Sequence, residues 1–217
     1  MQPNPAITLR SLGGIFDLFI IGGPKPSQIV EDFSKIVGKP FLPPFWSLGY
    51  HQCKFEYGSL KRTKEILIQT QKAGIPIDVQ WNDIDYMDDR KDFTFNPQTF
   101  SGLSDFVKEL HEKGMHYIPI IDPGISSSEK PGTYRPYERG LDMDIFIKND
   151  SLLPFNGRVW TNGQTVWPDF TDPKSYDYWS EMFQDYHNQV LYLYFLSIGM
   201  IIYSTDCSSR SLLMERG

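Results

Sequence analysis

The chain has 217 residues, of which 40% are hydrophobic, enough for one large domain or for one domain plus part of another. Its 21 basic and 27 acidic residues leave a net charge of −6 with no basic cluster, which argues against a nucleic-acid partner. Two cysteines, Cys53 and Cys207, cannot staple a fold of this size, and Met1–Pro5 carries neither the basic nor the apolar region of a signal peptide.

Residues 1–38 form a first zone. Ile7–Arg10 and Gly14–Ile21 read as β-strands, the second a nearly continuous apolar run that ends at Gly22-Gly23-Pro24. Ser27 is placed to N-cap a short helix carrying Ile29, Val30, Phe33, Ile36 and Val37, which Gly38 stops. Residues 39–190 then alternate strand and helix. Ser47–Gln52 is a short strand, and Ser59–Ala73 a helix with Ile66, Leu67 and Thr70 on one side, capped by Gly74. Ile75–Trp81 is the next strand. Leu103–Lys113 is a helix N-capped by Ser101 or Ser104 and closed by Gly114. Met115–Ile121 is a third strand, and Pro173–Gln189 a helix with Tyr176, Trp179, Met182 and Phe183. The β-α-β-α-β order implies a parallel sheet with right-handed crossovers. A (β/α) barrel and a doubly wound sheet both satisfy it, although no Gly-rich phosphate loop follows the first strand.

Two strands run into acids. Ile77–Trp81 leads to Asn82-Asp83-Ile84-Asp85-Tyr86, and Tyr117–Ile121 leads to Asp122-Pro123. Strand C-termini are where α/β folds bind ligands, so acids at two successive strand ends signal a site. An Asp there also caps turns, and that structural role competes with the functional one. Between Asp122 and Pro173 the sequence has little periodicity and many Gly and Pro residues, as in an insertion or lid over a barrel mouth.

Several stretches are more specific. Asp78-Val79-Gln80-Trp81-Asn82-Asp83-Ile84-Asp85-Tyr86-Met87-Asp88, followed by Arg90-Lys91-Asp92-Phe93-Thr94-Phe95, resembles the second-strand motif of glycoside hydrolase family 31. Pro43–His51 is similar to that family's first barrel strand and Ile120–Ser126 to its third. Tyr134–Gly140, Gly157–Trp160 and Val166–Pro173 follow in the family's order. The resemblance runs from about Gln2 to Val190, and it is to α-glucosidases of the maltase-glucoamylase, sucrase-isomaltase and lysosomal kinds.

The resemblance implies the N-terminal part of a (β/α)8 TIM barrel preceded by the last strands of a β-sandwich. It implies retaining hydrolysis of terminal α-linked glucose from maltose, malto-oligosaccharides or glycogen, with no metal or organic cofactor. It makes an α-glucoside the partner. By the same resemblance Asp83 is the acid that accepts hydrogen bonds from hydroxyls of the non-reducing glucose. Ile84 and Ile120 are apolar walls of that subsite, Asp122 is a pocket or supporting acid, and Trp160 is a platform for the sugar ring. Phe55 stands where relatives carry Trp or Tyr: its face can stack, but the polar edge is lost. Asp85 is expected to pair with Arg90 or a neighbouring strand, Trp81 and Trp167 to pack, and His51 to be a satisfied buried histidine. Asn149-Asp150-Ser151 is a glycosylation acceptor triplet. Relatives pass through the secretory pathway, to the lysosome or cell surface.

A retaining glycosidase needs two carboxylates about 5–5.5 Å apart. In this family the nucleophile belongs to a Trp-Ile-Asp-Met-Asn-Glu motif soon after the helix that ends near Val190, and these 217 residues contain no such motif. The acid/base of a later strand is missing as well. No catalytic residue is therefore assigned, and the chain by itself is expected to be inactive: a non-catalytic truncated form or a weak sugar-binding module. Residues 191–217 read as an apolar tail outside the family, as an alternative splice end, a retained intron or a gene-model error would give. The apolar stretch Val190–Tyr203 has 14 residues, short of the ~20 of a membrane span. Half a barrel leaves strand edges unpaired, so the isolated chain is expected to fold poorly or aggregate.

Overall fold

The computed structural model describes Pro5, residues 8–11 and residues 13–190; the apolar tail expected over 191–217 lies outside the described residues. The chain divides into two compact units, Met1–Pro43 and Pro44–Gly217.

In the first unit the expected strands are not formed among the described residues: the first described strand begins at His51. Ile15, Phe16, Leu18, Phe19 and Ile20 are exposed. A strand is completed by its neighbour's backbone groups, and residues 8–23 make no ladder with another described segment. Helix α1 spans Pro26–Val37. Its N-cap is Lys25 rather than Ser27, because Pro26 takes the first helical position, where its fixed φ fits and its missing N–H costs nothing. Gly38 ends the helix at φ 82°, open to glycine and strained for other residues.

The second unit is the β-α-β-α-β array read from the sequence. Strand β1 is His51–Gln52, α2 Leu60–Lys72, β2 Val79–Asn82, α3 Leu103–Glu112 and β3 His116–Pro119. The three strands form one parallel sheet in the order β1-β2-β3, pairing His51 with Val79 and Val79 with His116. Strand β1 is shorter than expected. Pro44 starts a 3-10 turn over Phe45–Leu48, its carbonyl accepting from both the Ser47 amide (3.0 Å) and the Ser47 hydroxyl (2.7 Å). Strand β2 starts late because Pro76 has no N–H to give a ladder. Tyr50 docks its entry instead: its carbonyl accepts from the Asp78 amide (3.0 Å), and its N–H donates to Asp78 Oδ2 (2.9 Å).

Ser59 N-caps α2, accepting from the Arg62 amide at 3.2 Å. Neither Ser101 nor Ser104 caps α3: Gly102, left-handed, stands there, and the Ser104 hydroxyl donates to the Gln189 carbonyl (3.0 Å). Helix α3 buries Leu103, Phe106, Val107 and Leu110, the i, i+3, i+4, i+7 stripe of an amphipathic helix. Burying those four side chains contributes on the order of 1.5–3 kcal/mol each before entropy. The sheet also buries polar side chains, which satisfy one another. Gln52 donates to Gln80 Oε1 (3.2 Å), Tyr117 to Asn82 Oδ1 (3.1 Å), and Asn82 to Thr63 (3.1 Å).

The segment after β3 is ordered where the sequence shows no period. Strands β4 (Ile125–Ser126) and β5 (Thr165–Val166) pair antiparallel, and helix α4 covers Arg135–Asp142. Helix α5, Lys174–Val190, closes the unit with Tyr178, Met182, Tyr186 and Val190 buried. Arg135 and Arg139 tie α4 to α5 through Glu181 and Asp185.

Candidate functional site

The C-terminal ends of the parallel strands carry the candidate site. Strand β2 stops at Asn82, and Asp83 caps a 3-10 turn over Ile84–Tyr86, one carboxylate oxygen accepting from the Ile84 amide at 2.7 Å. The structural role weighed for this acid is thus real, and it orients the half-buried carboxylate at the strand end. The Tyr86 hydroxyl donates to the Ile120 carbonyl (2.8 Å), holding the turn against the end of β3. Ile84 and Ile120 are half-buried and packed on the core from these two segments.

Asp122 follows β3. Burial, and then the negative charge of Asp83, push its carboxyl above the usual carboxylate range. Asp83 and Asp122 thus follow the ends of two adjacent parallel strands. Cys53, after β1, has its thiol raised first by burial and then by the charges of Asp83 and Asp85, so the loop leaving β1 faces the turn after β2.

Asp85 does not pair with Arg90. Its two oxygens accept from the amides of Glu56 (3.1 Å) and Gly58 (2.7 Å), anchoring the loop that follows β1. Phe55 sits on that loop, 44% exposed. Arg90 reaches instead to the Trp160 carbonyl (3.4 Å), drawing the segment before β5 towards the turn after β2. Trp160 is half-buried, and its indole N–H finds no hydrogen-bond partner among the described residues. Asn149 lies elsewhere, exposed in a turn of the same segment, its side-chain oxygen accepting from the amides of Ser151 (2.9 Å) and Leu153 (3.1 Å).

Trp81 and Trp167 are expected to pack, and His51 to be satisfied and buried; His51 is half-buried. Trp81 donates from its indole nitrogen to His51 Nδ1 (3.0 Å), and His51 Nε2 lies 3.1 Å from the Ser47 carbonyl, so both histidine nitrogens have partners. Trp167 packs over Gly157, where an added Cβ would come within 2.6 Å of its ring. Sequence reasoning passed over Asp92, fully buried, whose Oδ1 accepts from the Asp122 amide at 2.7 Å. Its position within Arg90-Lys91-Asp92-Phe93-Thr94-Phe95 was the available signal.

Residues 40–213 match the TIM-barrel domain of glycosyl hydrolases family 31. The chain belongs to family 31. The matched stretch runs past residue 190, where the sequence reading placed the family's boundary. Among family 31 relatives, the lysosomal alpha-glucosidase of Bos taurus is 47% identical over 190 residues, 88% of this chain and 20% of that protein. Intestinal sucrase-isomaltase of Homo sapiens is 42% identical over 195 residues, covering 88% of the chain and 11% of the relative. The family 31 alpha-glucosidase of Bacteroides thetaiotaomicron superposes with a TM-score of 0.70 at 34% identity, over 87% of this chain and 31% of that one. A glucosidase II alpha subunit bound to alpha3-Glc2 gives 0.67 at 30% identity, over 76% and 18%. The chain therefore spans about a fifth of the length of the lysosomal relatives, and its fold is part of the family's TIM barrel.

Proposed function

We propose that residues 44–190 form the half of an α-glucosidase site that holds the terminal, non-reducing glucose of an α-glucoside or malto-oligosaccharide. Asp83 accepts from vicinal hydroxyls of that glucose, since a carboxylate offers several lone pairs and charge-assisted bonds are the strong ones. Ile84 and Ile120 form the apolar floor beside it. Asp122 supports the polar side from the neighbouring strand, Trp160 offers a stacking face, and Phe55 flanks the site from the loop after β1. The observation that carries this reading is the placement of Asp83 and Asp122 directly after two adjacent, paired parallel strands, β2 and β3.

Neither acid is a nucleophile in this reading. The retaining mechanism needs a matched pair of carboxylates about 5–5.5 Å apart. The family's Trp-Ile-Asp-Met-Asn-Glu motif does not occur in these residues. The 217 residues alone bind the sugar weakly and do not hydrolyse it, and in a longer family 31 α-glucosidase they supply the subsite rather than the chemistry. The test is maltose titration of the 217-residue chain, followed by tryptophan fluorescence, beside an assay with a chromogenic α-glucoside. Binding lost in Asp83→Ala with no hydrolysis in either protein is the expected result. Hydrolysis that survives Asp83→Ala would sink these roles. We also read Asn149 as an N-glycan acceptor of a secretory-pathway protein. On expression through that pathway, a mass unaltered by peptide N-glycosidase would refute it.

A further inference from the structure

We infer that Asp92 is a positioning residue of the sugar site: its buried carboxyl clamps the main chain at Asp122 and so sets where the third strand presents its acid. The inference rests on the sugar-site reading above and extends it to a residue that touches no sugar. Asp92 is fully buried, and Oδ1 accepts from the Asp122 amide at 2.7 Å, a bond between the loop after β2 and the loop after β3. A second tie runs through the main chain, where the buried Tyr134 hydroxyl donates to the Asp92 carbonyl at 3.0 Å. The next residue, Phe93, packs edge-on against Trp179 (5.1 Å) and Phe183 (5.4 Å) of α5. Asp92 is thus held from both sides while its side chain holds Asp122.

The local backbone is bent to place it there. Asp89, Arg90 and Phe93 all have positive φ, at 50°, 58° and 61°. Non-glycine residues in that region persist only where the surroundings over-determine them, and they cluster at sites with a function. The second carboxyl oxygen, Oδ2, is buried with no hydrogen-bond partner among the described residues. An ionised carboxylate with one bare oxygen buried away from water is costly, so the neutral acid is the form that fits. Burial accordingly pushes this carboxyl well above the usual range. A neutral acid keeps a carbonyl oxygen for the Asp122 amide, and so does an asparagine.

That equivalence supplies the test. Amide hydrogen exchange, resolved to Asp122 by gas-phase fragmentation, is compared in the 217-residue chain and its Asp92→Ala and Asp92→Asn variants, together with maltose titration. Exchange at Asp122 at least tenfold faster in Asp92→Ala, with weaker maltose binding, and both recovered in Asp92→Asn, is the expected result. Unchanged exchange in Asp92→Ala, or an Asn variant as fast as the Ala variant, overturns the clamp. Should Asp92→Ala not fold, a through-bond coupling between the Asp122 nitrogen and the Asp92 carboxyl carbon, sought by NMR in the unsubstituted chain, decides; its absence overturns the clamp. If the exchange pattern holds but the chain binds no maltose, the sugar-site reading fails while the clamp stands.

Discussion

Replacing Asp85 should loosen the loop after β1 without unfolding the sheet. Its carboxylate is the acceptor for the amides of Glu56 (3.1 Å) and Gly58 (2.7 Å), and both residues have positive φ, at 64° and 70°. A left-handed glutamate costs about 1 kcal/mol or more, so this loop does not hold its shape by local preference. Hydrogen bonds to a charged group contribute roughly 1.5–3 kcal/mol each, and solvent at this exposed loop places these two near or below the bottom of that range. Asp85→Ala should therefore remove about 2 kcal/mol of local stability. Asp85→Asn keeps one acceptor oxygen and should lose about half of that. At about 1.4 kcal/mol per tenfold, hydrogen exchange at Glu56 and Gly58 should quicken about 30-fold in the alanine variant and about fivefold in the asparagine variant. Exchange at β2 amides should stay as it was. Unchanged rates at Glu56 and Gly58, or an equal rise throughout β2, would refute the anchor.

Stability should also fall as pH rises above the range of an ordinary carboxyl. Asp92 is raised in the folded state by burial, so between its unfolded value near 4 and its folded value the folded chain binds more protons, and its contribution is lost as pH climbs through the folded value. The limiting slope is about 1.4 kcal/mol per pH unit for one group. Urea denaturation of Asp92→Asn should show a flatter profile over this window, and parallel profiles would contradict the assignment. Gly140→Ala should lower the denaturation midpoint. An added Cβ would lie 2.6 Å from Cε2 of the buried Phe146, and overpacking of about 1–3 kcal/mol outweighs a helix-propensity gain of about 1 kcal/mol. A raised midpoint would show that Phe146 yields freely. The outer sides of β1 and β3, unpaired among the described residues, should make the isolated chain associate at micromolar concentration, as sedimentation velocity would detect. A soluble monomer with one cooperative transition would contradict this.

The order β1-α2-β2-α3-β3 was legible because its helices carry their own apolar stripes and its strands lie in apolar runs. Leu103, Phe106, Val107 and Leu110 announce α3 without reference to anything else. Asp83 and Asp122 could be found because they stand directly after such runs. The β4–β5 pair and α4 lie in the Gly- and Pro-rich stretch after Asp122, where no apolar period marks an element. In residues 8–21 apolar composition alone was misleading, because a strand exists only with a ladder partner. For Asp85 the sequence left Arg90 and a neighbouring strand both open, and it is the amides 27 and 29 residues earlier, on the loop leaving β1, that take the carboxylate.

By itself, the sequence determined the family, the parallel β-α-β-α-β order and the identity of the acids at the strand ends, because local periodicity and motif are properties of neighbouring residues. Tertiary structure alone decided which groups those acids meet. It set Asp85 on the loop after β1, brought Asp83 near Asp122, and buried Asp92 beneath the Asp122 amide. A carboxyl group's role follows from its burial and its partners, and those come from segments that the chain brings together only when it folds.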